Sequence, residues 1–176
     1  MTSSTPIGPT PADRAAQGAA IIDRISYMVL GTADADGRPW ATPVYYATDG
    51  RGAFYWVSSH QARHSANIAL RQEVGIVIFD STVPIGSGQG LYIEGHAEQV
   101  SGPTLDQGLA VFSARSIKDG GSPWGRDDVE GETLIRMYRA RATSYSMLAK
   151  DGRPDHRVPV PLEAKPQPAD QPARRP

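Results

Sequence analysis

The chain has 176 residues, enough for one domain with a substantial core and short for two. Its 18 basic and 19 acidic residues nearly cancel and form no basic stripe, so neither a nucleic acid nor a membrane surface is implied as a partner. Cysteine is absent, which excludes disulfides, iron–sulfur clusters and thiol nucleophiles and leaves any metal to His, Asp or Glu.

The segment from Met1 to Pro11 is polar and lacks the basic start and apolar run of a signal peptide. No apolar stretch approaches the roughly 20 residues that span a bilayer. The expectation is a soluble, cytoplasmic protein. Residues 1–9 and 163–176 are rich in Pro and small or polar residues, and they read as solvated tails around a single domain over 10–162.

In chain order, a first helix opens at Thr10-Pro11-Ala12-Asp13: Thr10 caps, Pro11 takes the first helical position, and Asp13 suits the positive end of the dipole. It carries Ala16, Ala19, Ala20 and Ile22 and fades near Ser26. A β-meander follows, with strands at Tyr27–Ala33, Trp40–Ala47 and Ala53–Ser58, joined by turns at Asp36-Gly37 and Asp49-Gly50-Arg51-Gly52. Ser59 is placed as the cap of a second helix from His60 to Leu70. The almost wholly apolar Val74–Phe79 predicts a strand covered on both faces. After the glycine-rich loop Pro84–Gly90 come a strand at Leu91–Val100 and a helix at Pro103–Ala114 capped by Ser101. The long loop Ser116–Asp128 carries Trp124 in an exposed setting and has the length of a functional or mobile segment. A long strand over Thr133–Leu148 and a final one over Val158–Leu162 complete about six strands and three helices. With no βαβ alternation, the fold is a mainly β barrel with flanking helices.

The densest chemistry lies in the strand–turn–helix from Phe54 to Asn67. Ser58 and Ser59 stand at a helix start, where free N–H groups favour an anion, and Arg63 and His64 follow on the first turns. This is a phosphate site, or else a cap followed by two solvated side chains. His60 and His64 have the four-residue spacing of a metal pair but lack an intervening acid and a third ligand, so no metal is expected. Gly86-Ser87-Gly88-Gln89-Gly90 enters a strand and not a helix, which removes the dinucleotide reading. It is a loop offering close backbone approach and Gln89 to a ligand, or an ordinary hairpin loop. No Gly-x-Ser-x-Gly elbow supports Ser-His-Asp catalysis, and Glu94 and Glu98 share a solvent face. Trp40, Tyr45, Tyr46, Tyr55 and Trp56 crowd the meander as core or interface residues, and as the neighbours a planar cofactor needs.

Four segments in this order and spacing resemble the pyridoxamine 5′-phosphate oxidase-like family of flavin-binding split barrels. They are Gly37–Tyr46, Phe54–Ser58, Ala62–Ile68 and Gly90–Ala97. The resemblance covers Ile25 to Val100, with a weaker echo in Leu134–Tyr138 and Arg157–Pro161. It implies a six-stranded antiparallel Greek-key split barrel, and a homodimer with FMN held between subunits. By carry-over, Thr42, Pro43, Val44 and Tyr45 face the flavin ring, Ser58, Ser59, Arg63 and His64 hold the phosphate, and Gln89 touches the cofactor. Apart from the resemblance, the composition of the Ser116–Asp128 loop gives the expectation that Trp124 shields the cofactor from across the dimer interface. Two positions depart from the pattern. His64 stands where the family commonly has Lys, and the Arg-x-His element for pyridoxal phosphate near the C-terminus is not recognisable, so true pyridoxamine phosphate oxidase activity is not expected.

The resemblance thus implies an FMN-dependent oxidoreductase acting on an unidentified small molecule. One alternative keeps the fold and exchanges FMN for F420, whose acidic tail needs a basic groove from Arg115, Lys118, Arg126, Arg136, Arg139 and Arg141. Another is a non-catalytic flavin- or haem-binding module, with His60, His64 or His96 as the axial ligand of a haem. The last is a barrel without a cofactor that serves as a dimeric interaction domain.

Overall fold

The computed structural model describes residues 8–50 and 52–162. Its elements are α1 (Pro11–Arg24), β1 (Tyr27–Ala33), β2 (Pro39–Tyr45), β3 (Ala47–Thr48), β4 (Ala53–Ser59), α2 (Arg63–Leu70), β5 (Glu73–Phe79), β6 (Gly90–Gln99), α3 (Gly102–Lys118), β7 (Ile135–Leu148) and β8 (Arg157–Pro159). The expected tails lie outside the described residues, apart from Gly8 and Pro9.

The eight strands form one antiparallel sheet in the order β2-β1-β5-β6-β7-β4-β3, with β8 added to β7. Eight strands stand against the expected six: the second expected strand breaks at Tyr46 into β2 and β3, and the final one, expected over 158–162, is the short β8, paired with the end of β7. That break determines the architecture. β2 and β3 lie at opposite ends of the sheet, yet only Tyr46 separates them in the chain. The sheet must therefore curl until its ends meet, which gives a barrel with an open seam between β2 and β4.

Curling divides the apolar residues into two cores. Met28, Leu30, Ile76, Ile78, Leu91, Ile93 and Trp56 fill the barrel, joined by Ile21 and Ile22 of α1. Tyr55, Leu105, Leu109, Phe112 and Met137 form a second core between α3 and the sheet. The α1 start is as expected, a capping box in which Asp13 N–H donates to Thr10 Oγ1 (3.2 Å) and Thr10 N–H donates to Asp13 Oδ2 (3.0 Å).

Three local expectations are corrected. Ser59 caps no helix: it ends β4, paired with Ile135, and α2 starts only at Arg63 after a turn in which Ser59 Oγ accepts from Gln61 N–H. Ser101 precedes α3, but its side chain makes no cap bond. β5 is buried on alternate residues only, because Gly75, Val77 and Phe79 turn outward from the barrel.

Candidate functional site

The seam is where unpaired main-chain groups collect. In the β1–β2 ladder, Tyr46 N–H donates to Ser26 O (3.2 Å), so the even-numbered residues of β2 bond to β1. The odd-numbered Pro43 and Tyr45 turn their main-chain groups toward the seam. Opposite them, His60 N–H donates to Leu134 O (3.0 Å), which commits Ser58 to β7 and turns Val57 toward the seam beyond the end of β3.

A cleft of about 500 Å³ occupies this place. One wall is Pro43, Val44 and Tyr45 of β2, and the other is Val57 and Ser58 of β4 with His64 of α2. Phe112 and Ser116 of α3, and Asp119, Gly121 and Trp124 of the following loop, close a third side. The volume falls within the roughly 300–1,000 Å³ of small-molecule and cofactor sites.

At one side of the cleft, His64 Nε2 and Ser58 Oγ share a hydrogen bond of 2.8 Å. His64 is buried, only 7% exposed, and this loss of solvent lowers its imidazole pKa below the usual value. Elsewhere on the rim, Asp119 Oδ2 accepts from Arg115 Nε (2.7 Å), Tyr45 Oη (3.1 Å) and Ser26 Oγ (3.2 Å). The hydrogen bond and charge of Arg115 lower the Asp119 pKa, while burial first and Asp119 second raise that of the Tyr45 phenol. This network ties Ser26, just before β1, to the end of β2 and the end of α3.

The loop after α3 is fastened as well. Ser113 Oγ accepts from Trp124 N–H (2.6 Å) and donates to Trp124 O (2.7 Å), and Ser116 Oγ donates to Ser122 O (2.7 Å). The Trp124 indole meets the Phe112 ring edge-on at 5.6 Å. Trp124 is therefore half-buried and not exposed, because α3 supplies a partner for its main chain and another for its ring.

The profile described as pyridoxamine 5′-phosphate oxidase matches residues 15–129, more than half of the chain. The chain belongs to the pyridoxamine 5′-phosphate oxidase family. Solved structures with the same fold include a haem storage protein of Vibrio cholerae (20% identity, 74% of this chain and 89% of that chain covered, TM-score 0.58). A haem-binding protein of Mycobacterium smegmatis superposes with a TM-score of 0.65 at 19% identity; 86% of this chain is covered, and it spans 59% of that protein. An F420 reductase superposes with a TM-score of 0.51 at 21% identity, with 72% and 94% of the two chains covered. At these identities the likeness is one of fold. No curated protein matches the sequence significantly.

Of the nine residues that the family resemblance singles out, Pro43, Val44, Tyr45, Ser58 and His64 line the cleft. Thr42 and Ser59 are adjacent in sequence but do not line it. Arg63 points elsewhere: its guanidinium lies 4.7 Å from the centre of the Trp40 ring and 3.9 Å from Asp34 Oδ2. Gln89 borders a separate cavity of about 250 Å³ beside Arg14, Met147 and Lys150, and its amide donates to Leu148 O (3.0 Å). Phe112, Ser116, Asp119 and Gly121 are cleft residues that sequence reading missed. The one available signal was the long glycine-rich segment that begins at Ser116.

Four of the six cations expected for an F420 groove have partners of their own. Arg115 pairs with Asp119, Arg126 with Asp106 and Glu130, and Arg139 with Glu98, while Arg136 donates to the carbonyls of Gly131, Thr133 and Ile135. No Lys or Arg lines the cleft among the described residues. Of the histidines considered as haem ligands, His64 alone lines it; His60 and His96 are exposed. Among the described residues no three His, Asp or Glu side chains gather as a metal site, and no helix is long and apolar enough to cross a membrane.

Proposed function

We propose that this protein binds FMN in the seam cleft and acts as a flavin-dependent oxidoreductase on a small molecule. The observation that carries this reading is the cleft's construction. Flat apolar and aromatic walls from Val44, Val57, Phe112 and Trp124 suit a planar ring, and the outward main-chain groups of Tyr45 and Val57 suit its polar edge. Ser58 and His64 offer hydrogen bonds to the phosphate end. Bound FMN supplies hydride and electron transfer; the chain orients the ring and excludes water from one side of it.

The reading includes a cytoplasmic homodimer. Tyr27 and Phe79 lie on the outer face of β1 and β5 at 60% and 45% exposure, an apolar surface suited to a second copy. The engaged state of Arg115, Arg126, Arg136 and Arg139 favours FMN over F420. Haem is a second reading on one observation, that His64 lines the cleft, although its Nε2 must first leave Ser58.

The test is titration of the purified protein with FMN, F420 and haemin, followed by absorbance and tryptophan emission. Saturable FMN binding that quenches Trp124, lost in Trp124→Leu, is expected. A Soret band formed at lower ligand concentration than FMN needs would replace flavin with haem. Absence of binding by any flavin would overturn the reading.

A further inference from the structure

Among the described residues, no Lys or Arg lines the end of the cleft at Ser58 and His64. Arg63 is turned to Trp40 and Asp34, Arg136 is held by three carbonyls, and Arg115 is neutralised by Asp119. The ionised carboxylate of Asp119 is itself on the cleft wall. Among the described residues that line the cleft, the His64 imidazole is the one group able to become a cation beside a phosphate dianion entering here.

Resting on the flavin reading, we infer that the Ser58–His64 pair is a proton-coupled anion site, which takes up one proton from solvent for each FMN phosphate it binds. With the site empty, burial among α2, β2 and β4 keeps the imidazole neutral near pH 7. One hydrogen bond then joins His64 Nε2 and Ser58 Oγ. A dianion beside the ring reverses the balance by favouring the charged form. With both ring nitrogens protonated, Nε2–H donates to Ser58 Oγ, and the Ser58 O–H is free to donate to a phosphate oxygen. The imidazolium and the hydroxyl act as one anion clamp.

The neighbouring charges do not substitute for this proton. On α2 itself the adjacent charge is Arg63, which faces away. From β2 the titratable group is Tyr45, and from the end of α3 it is Asp119 with its partner Arg115. From β4 the titratable group is Tyr55, buried in the second core with Leu105 and Met137, and Arg136 lies across the β7 pairing from Ser58. α2 also packs on β1, whose one titratable group is the exposed Tyr27, and on β6, whose Glu94, His96 and Glu98 alternate with the buried Ile93 and Ala97 and so face outward.

The pH dependence follows from proton counting. Above about pH 6.5 the free phosphate is a dianion and the free imidazole is neutral, so binding takes up one proton and affinity falls about tenfold per pH unit. The experiment is calorimetric titration of the whole protein with FMN and with riboflavin at pH 7.5, in two buffers of different ionisation enthalpy. The difference between buffers counts protons. Uptake near one per FMN, near zero per riboflavin, and near zero per FMN in His64→Gln supports the inference. FMN binding with no proton uptake overturns it, as does uptake that persists in His64→Gln. Carbon-13 shifts of the His64 ring in the wild-type protein give the same answer without a variant: the ring must become imidazolium when FMN is added at pH 7.5, and a ring that stays neutral overturns the inference. If neither flavin binds, the functional reading fails first and the inference fails with it.

Discussion

Ser113→Ala removes a hydroxyl that holds both main-chain groups of Trp124, the N–H at 2.6 Å and the carbonyl at 2.7 Å. A net hydrogen bond contributes about 0.5–1.5 kcal/mol, so the pair holds the loop by about 1–3 kcal/mol, or roughly 5- to 150-fold in the equilibrium between closed and open loop. The ring contact with Phe112 at 5.6 Å remains in the variant, so the loop loosens without melting α3. Hydrogen exchange at the Trp124 amide is the direct assay, because Ser113 Oγ is its acceptor. Exchange should accelerate by that factor while the amides of β6 and β7 keep their protection. FMN affinity should weaken with it, since Trp124 lines the cleft. Unchanged exchange at Trp124 in Ser113→Ala would refute the clamp.

Other consequences follow from buried groups. Thr32→Val preserves shape but leaves the buried Asn67 amide, which now donates to Thr32 Oγ1 at 3.0 Å, without its acceptor; urea denaturation should show a loss of about 1–3 kcal/mol. Gly108→Ala sets a methyl 2.6 Å from Met137 Sδ and 2.8 Å from the Tyr55 ring, so overpacking of about 1–3 kcal/mol outweighs the helical gain of at most about 1 kcal/mol, and Tm should fall. His64 has its folded-state pKa depressed by burial, so its contribution to stability is complete above the unfolded value near 6.5 and is lost as pH falls through the folded value. Denaturation at pH 7.5 and 5.5 should show this loss in the wild type and a smaller one in His64→Gln.

Elements set by local chemistry were legible in the sequence. The Thr10-Pro11-Asp13 cap marks the start of α1, and the Asp36-Gly37 turn marks the hairpin of β1 and β2. Where strand pairing overrides local preference, the reading failed. Ser59 has the chemistry of a cap, but pairing with Ile135 keeps it in β4 and moves the helix start to Arg63. The apolar run of β5 hides an alternation, because Gly75 and Val77 are small enough to pass for core and yet face outward. Half of the cleft was visible through the family resemblance, in Pro43, Val44, Tyr45, Ser58 and His64. The other half depends on distant contacts: Tyr45 meets Asp119 across 74 residues of chain, and no short motif encodes that meeting.

The central claim is that the seam between β2 and β4 holds the flavin. Hydrogen–deuterium exchange with and without saturating FMN tests it most directly. The account predicts slowed exchange concentrated at Tyr45, Val57 and the loop around Trp124, with the cavity beside Gln89 and Lys150 unaffected. Protection at that second cavity, with the seam unchanged, would contradict the account.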